Sequence, residues 1–282
     1  MSKFILTGFA DEIDTDFNTQ LRGLQSLGIQ HIEIRGVNGT NISQLTKEEV
    51  RDVQKQLNSY GITASSIGSP IGKIGIGDDF APHLEMTKRI VETAHTLNSP
   101  FIRIFSFYTP EGNDPLLYRD DVLDRMGRIL DTAKGSGITM LHENEKGIYG
   151  DTAERCLDLM EAFKGRDFAA AFDPANFVQS DEEVYPKAFQ LLKPYIKYMH
   201  IKDSLPDHTV VPAGMGVGHV REVLSTLKAD GYEGFLSLEP HLGSFVGLAA
   251  LENTALAESL EKGGLSTFKL AHDSLMDILS QI

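Results

Sequence analysis

An α/β chain folded as one (β/α)8 TIM barrel over residues 1–282, with an extra helix at the C-terminus, is the fold the sequence predicts. Three observations carry that reading. Short apolar stretches alternate with longer amphipathic ones, the pattern of repeated βα units around a parallel sheet. Eight strand candidates recur roughly every 35 residues, which suits a 282-residue chain to a barrel. Several helical stretches close on glycine just before the next strand, as a C-terminal cap followed by a short αβ loop requires.

In order, the strand candidates are FILTGFA (4–10), HIEIRG (31–36), TASSIGS (63–69), FIRIFSF (101–107), ITMLHEN (138–144), FAAAFDP (168–174), IKYMHIK (196–202) and GFLSLEP (234–240). Between them lie amphipathic segments such as DFNTQLRGLQSLG (16–28), TKEEVRDVQKQLNSYG (46–61), HLEMTKRIVETAHTLN (83–98) and RDDVLDRMGRILDTAKGSG (119–137). After the eighth strand, ALENTALAESLEKGG (250–264) reads as a closing helix and STFKLAHDSLMDIL (266–279) as the extra one. The glycine-rich pieces GKIGIG (72–77) and GMGVGH (214–219) match neither a Walker A sequence nor a full dinucleotide fingerprint, and read as loops. No linker or low-complexity stretch divides the chain.

A net charge of −14 and a sequence pI near 5.0 oppose binding to nucleic-acid phosphates or anionic membranes, which need a basic stripe. The single cysteine, Cys156, lies in a helical pattern and reads as a buried structural thiol. The N-terminus is too briefly apolar for a signal sequence, and no apolar run approaches the ~20 residues of a membrane span. The expectation is a soluble, cytoplasmic protein.

Function is written at the strand ends. In a parallel barrel the carboxyl ends of different strands converge on one face. Strand five ends in Glu143, strand six in Asp173, strand seven in His200 and strand eight in Glu239. Singly, such a carboxylate is ordinarily a solvated group or a helix N-cap, and a lone histidine a structural one. Together on four consecutive strands they form a hard or borderline donor set, suited to one divalent ion: Mn, Zn, Mg, Co or Fe. Without a cation the four would carry a desolvation and like-charge cost.

The order Glu, Asp, HIKD, then GYEGFLSLEPHL resembles the xylose-isomerase-like barrel superfamily of sugar and sugar-phosphate isomerases and epimerases, most sharply over 138–243. Two positions depart from that pattern: Met215 stands in GMG where the family often has glutamate, and Asn176 where it often has histidine. The resemblance implies a divalent metal held by Glu143, Asp173, His200 and Glu239, chelating adjacent oxygens of a ketose or related polyol and stabilising an enediolate. It further implies that Glu143 and Glu239 are catalytic and share the proton transfers on opposite faces. The alternative is a metal-dependent dehydratase of a keto-inositol-like substrate. A DNA-repair nuclease of the same superfamily would need further strand-end histidines and a different charge.

Around this core, Arg35, Lys73, Arg103, Asn176, Lys202 and His241 are candidate substrate-binding residues. The four basic ones admit two readings, an anionic substrate or ion pairs with neighbouring carboxylates. Glu33 and Arg35 share a strand face by period two, so an ion pair between them is expected. His142 alternates with Glu143 and should face the helices. The expected partner is a small carbohydrate, with no nucleic acid and no membrane. A homo-oligomer is possible through the C-terminal helix, although packing of its Phe268, Leu270, Leu275, Met276 and Leu279 on its own barrel is the simpler expectation.

Overall fold

The computed structural model describes residues 3–242 and 263–282. Eight parallel strands form a nearly closed barrel: β1 (Lys3–Gly8), β2 (His31–Ile34), β3 (Thr63–Gly68), β4 (Phe101–Ile104), β5 (Thr139–Glu143), β6 (Phe168–Phe172), β7 (Ile196–Ile201) and β8 (Glu233–Leu238). Hydrogen-bonded ladders join β2 through β8 in sequence and then β8 to β1, while β1 and β2 touch at the remaining seam. Each of the eight strand candidates coincides with one of these strands. Register irregularities occur at Ile32/Glu33 in β2 and at Ala170/Ala171 in β6.

Among the described residues the α-helices are α1 (Phe17–Ser26), α2 (Lys47–Tyr60), α3 (Phe80–Thr96), α4 (Arg119–Thr132), α5 (Ala153–Ala162), α6 (Pro174–Val178), α7 (Phe189–Leu192), α8 (Val220–Ala229) and α9 (Leu265–Gln281). Their limits follow from local chemistry. Asp16, Asp79 and Thr152 cap α1, α3 and α5 by accepting backbone N–H bonds that no helical carbonyl can take. At α2, Thr46 and Glu49 form a reciprocal capping box, and Gly61 ends the helix at φ 64°.

Most buried apolar side chains lie between the strands and the surrounding helices. A second, smaller cluster of Leu141, Ala169, Ala171 and Tyr198, with Phe101 and Phe235 against it, fills the barrel. A polar layer adjoins it: Thr7 and Ser65 hydroxyls are 2.7 Å apart, and Ser65 lies 3.0 Å from the Tyr198 hydroxyl.

The C-terminal helix packs on its own barrel, as the simpler expectation had it. Phe268 and Leu275 are fully buried, while Met276 is exposed. A Cβ built on Gly8 would stand 2.7 Å from the Phe268 ring, which places α9 on the flank of β1 and β8 rather than across the barrel floor. The helix expected at 250–264 falls, up to Lys262, outside the described residues. Among the described residues no helix is long and apolar enough to cross a membrane. Cys156 is buried, its thiol donating to the Gly150 carbonyl, and burial pushes it well above its ordinary range.

Both glycine-rich pieces are structural loops. Residues 71–76 run beside 105–108, with Phe107 N–H donating to the Gly72 carbonyl and Ile76 N–H to that of Tyr108, at 3.0 and 2.9 Å. Gly72 has φ 86°, and a Cβ there would meet the Phe105 carbonyl oxygen at 2.0 Å. Gly72→Ala is therefore expected to destabilise the fold by about 3 kcal/mol or more, from backbone strain plus that clash. Urea unfolding of the two proteins checks this, and a loss below ~1 kcal/mol would show that the loop relaxes.

Candidate metal centre and active site

Glu143, the last residue of β5, is buried in the barrel mouth. Its Oε2 accepts from Arg103 Nη1 at 2.6 Å; its Oε1 accepts from Asn176 Nδ2 at 3.2 Å and lies 2.8 Å from His200 Nδ1. Burial alone would raise this carboxyl, but His200 and Arg103 outweigh it and hold it well below the usual range. The next residue fixes the geometry: Asn144 donates to the Asp173 carbonyl and accepts the Asp173 N–H, both at 2.9 Å. Glu145 then pairs with Lys73 at 2.9 Å.

Asp173 divides its two oxygens between two tasks. Oδ1 caps α6 by accepting Asn176 N–H at 3.0 Å, with Pro174 at the first helical position. Oδ2 is buried and ion-paired with Lys202 Nζ at 2.9 Å, in an alignment that makes no good hydrogen bond. Burial pushes Asp173 up to about 7 despite Lys202. The reading of this residue as a helix cap and its reading as a ligand thus both fit, on separate oxygens.

His200, near the end of β7, stands between two acids. Nδ1 faces Glu143 and, at 3.7 Å, Glu239; Nε2 lies 3.2 Å from Glu33 Oε2, which also accepts from Ser237 Oγ at 2.6 Å. Burial opposes protonation, but Glu143 and Glu33 outweigh it and raise the imidazole well above its ordinary value. Glu239, just past β8, accepts from Lys202 at 2.7 Å and from Arg35 at 3.2 Å. Burial is again outweighed, chiefly by Lys202, and the carboxyl is held low.

Donor atoms of Glu143, Asp173, His200 and Glu239 lie within 4.8 Å of one another. A buried cluster of three carboxylates and an imidazole, with one carboxylate oxygen met only by a poorly aligned ammonium, fits a hard or borderline divalent ion. Glu33 behind Nε2 supplies the outer hydrogen bond that commonly orients a ligating histidine.

All six candidate substrate-binding residues gather here. The basic ones are ion-paired: Arg35 with Asp11, Glu12 and Glu239, Lys73 with Glu145, Arg103 with Glu143, and Lys202 with Asp173 and Glu239. Arg35 therefore does not pair with Glu33, because the loop after β1 brings two nearer carboxylates. His241 sits at the rim, 3.3 and 3.4 Å from Glu12 and Glu239. His142 faces away from the mouth, with Nε2 2.9 Å from Ser106 Oγ.

Sequence reasoning missed Asp11, Glu12, Ser237 and Asp203. The polar run DEID after the first strand was the available sign for the first two. Asp203 accepts backbone N–H bonds from Ser204, Gly214, Gly216 and Gly218 at 2.8–3.1 Å, so the GMGVG loop folds around a carboxylate. Gly216 and Gly218 have no room for a side chain, since a Cβ would come within 2.3 and 2.6 Å of Ser204 and Asp203 oxygens. Met215 is exposed.

A (β/α)8 barrel with this donor set at its strand ends defines a class, and the sequence places the chain within it. The family model described as xylose isomerase-like TIM barrel matches residues 21–262, and the chain belongs to that family. A search of curated protein sequences finds no match. Among solved structures, the probable 3-DHS dehydratase AsbF of Bacillus anthracis superposes with a TM-score of 0.72 at 17% identity, covering 98% of this chain and 99% of that one. The IOLI protein with a bound zinc atom gives 0.74 at 16% identity, covering 100% and 99%. D-allulose 3-epimerase of Methylomonas sp., in complex with D-allulose, gives 0.72 at 16% identity, covering 100% and 98%. At such identities the likeness is one of fold.

His142 provides a test of the wall behind this site. Burial lowers its pKa from 6.5 to about 4, so the folded protein keeps it neutral while the unfolded chain takes up a proton near 6.5. The unfolded state then binds more protons between those values, and stability falls as pH drops through that window, by about 2 kcal/mol from pH 7 to pH 5. His142→Gln is expected to remove that part of the slope in guanidinium titrations at the two pH values. An unchanged slope would place the acid sensitivity elsewhere.

Proposed function

We propose that this chain is a divalent-metal-dependent isomerase or epimerase of a ketose or related polyol, with Glu143 and Glu239 as the proton-transfer groups. The observation that carries the reading is the convergence of Glu143, Asp173, His200 and Glu239 donor atoms within 4.8 Å at the ends of four consecutive strands. Bound there, a divalent ion would polarise a substrate carbonyl and make the neighbouring C–H more acidic.

The chain's own residues account for the rest. Glu143 and Glu239 are both held ionised, as a base must be, and come from strands β5 and β8, which are not neighbours in the barrel. One takes the proton from one face of the substrate carbon; for that centre to invert, the other must first pick up a proton from water and then deliver it to the opposite face. Arg103 and Asn176 fix the Glu143 carboxylate, while Lys202 and Arg35 fix that of Glu239, so neither needs to reorganise. The clamp between Asn144 and Asp173 holds the tips of β5 and β6 at a constant spacing.

NMR of a panel of ketoses and keto-inositols in D₂O with Mg²⁺ tests the reading. Metal-dependent loss of one C–H signal with a new stereoisomer or aldose is expected. Elimination of water without a new isomer would make the enzyme a dehydratase. Glu143→Gln and Glu239→Gln should each reduce turnover by about 10²–10⁴-fold while the protein stays folded by circular dichroism. Metal binding requires a deprotonated His200 nitrogen, so Zn²⁺ titrated by calorimetry in buffers of different ionisation enthalpy should release protons and bind more tightly as pH rises. A pH-independent affinity would remove His200 from the ligand set.

A further inference from the structure

We infer that this site takes an uncharged, hydroxyl-rich substrate carrying a second sugar-sized group, and that the second group lies in a pocket beyond Arg35. This deepens the function proposed above and rests on it. The pocket lies between the loop after β1 and the hairpin after β2, on the same face as the metal-ligand candidates. It encloses about 300 Å³ and is lined by Asp11, Thr15, Gln20, Arg35, Thr40 and Asn41 together with backbone glycines. That volume is at the lower end of ordinary ligand sites. Arg35 forms a shared wall, because its Nη1 reaches Glu239 Oε1 while the rest of the guanidinium is held by Asp11 and Glu12. A molecule with its reactive carbons over Glu239 would reach the pocket across the outer edge of Arg35, a quarter of whose side chain is open to solvent.

The lining selects for hydroxyls. Gln20 is almost wholly buried, and its Nε2 donates to the Asp14 and Gly36 carbonyls at 2.9 and 3.1 Å. Those bonds hold the amide in place, and its Oε1 is closed off from the pocket, so Gln20 shapes the wall and leaves recognition to its neighbours. A sugar hydroxyl can donate to the Asp11 carboxylate that lines the pocket; a phosphate oxygen cannot. The threonine hydroxyls at 15 and 40 add further groups that pair with hydroxyls.

Charge points the same way. Arg35 already has three carboxylates, Lys73 has Glu145, Arg103 has Glu143, and Lys202 lies between Asp173 and Glu239. A phosphate brought to any of these cations would meet the carboxylate already there, a like-charge juxtaposition that costs several kcal/mol.

The test titrates Mg²⁺-loaded protein with three forms of one ketose: D-fructose, D-fructose 6-phosphate and isomaltulose, which carries glucose on the same oxygen. Affinities are read by saturation-transfer NMR, which needs no turnover. Isomaltulose is expected to bind about tenfold more tightly than fructose, and the phosphate more weakly than either. Thr40→Trp, which fills the pocket from a half-exposed hairpin position, should abolish the gain from the glucosyl group. A phosphate preference, or no gain from glucose in the wild-type protein, overturns the inference; so does a gain that survives Thr40→Trp. The parent reading is judged separately, by C–H exchange in bare ketoses. Exchange without a glucosyl gain removes only the pocket, whereas a glucosyl gain lost in Thr40→Trp, with no exchange, removes only the chemistry.

Discussion

Burying charge is the constraint on which the barrel mouth depends. Glu33, Glu143, Asp173 and Glu239 are almost entirely removed from water, and each ionised carboxylate so placed carries a desolvation penalty of several kcal/mol unless neutralised. Arg103, Lys202, Arg35 and a protonated His200 supply the neutralisation. The ionisation tendencies follow how well each acid is served. Glu143 and Glu239, each met by cations from two sides, are held low, whereas burial pushes Asp173, with one poorly aligned ammonium beside it, up to about 7. An added cation would therefore gain most at Asp173, which shares Lys202 with Glu239.

Such a cluster is tolerable only if its members cannot relax away, and the backbone provides this. Four of the strands end at the cluster, so the side chains start from ladder-fixed positions. The irregularity at Ile32/Glu33 belongs to this design: bulges re-aim side chains beside active sites, and Glu33 reaches His200 from the strand that carries it. Asp203 extends the same order outward. Its carboxylate gathers the N–H groups of the glycine loop, so the segment following HIKD is tied to the strand that bears His200.

The eight strands were legible because a buried parallel strand needs an apolar run and a helix C-terminus tolerates glycine; both leave marks in the order of residues. The metal-ligand candidates were legible for a related reason, since a charged residue at the tip of an apolar run contradicts its surroundings. What stayed hidden depends on contacts between distant segments. Whether Arg35 meets a phosphate or a carboxylate turns on the path of the loop after β1, and period-two alternation named Glu33 as its partner because no local pattern encodes Asp11 and Glu12. Asp203 was equally silent, its four backbone donors lying up to fifteen residues away. The position of α9 on the β1/β8 flank turns on Phe268 filling the space that Gly8 leaves open, a complementarity between the two ends of the chain.

Asn176 bears on what kind of centre this mouth can be. Both of its side-chain N–H bonds are committed, one to Glu143 Oε1 and one to the Asn144 carbonyl, and its backbone N–H caps onto Asp173. The residue thus orients two of the metal-ligand candidates from one short helix. An imidazole at this position would offer a ring nitrogen to a second ion and titrate near neutrality, whereas an amide does neither. The loop after β6 consequently presents one carboxylate ligand, fixed by a neutral neighbour. That arrangement suits a single-ion centre, since the short helix after β6 offers no ring nitrogen to a second ion.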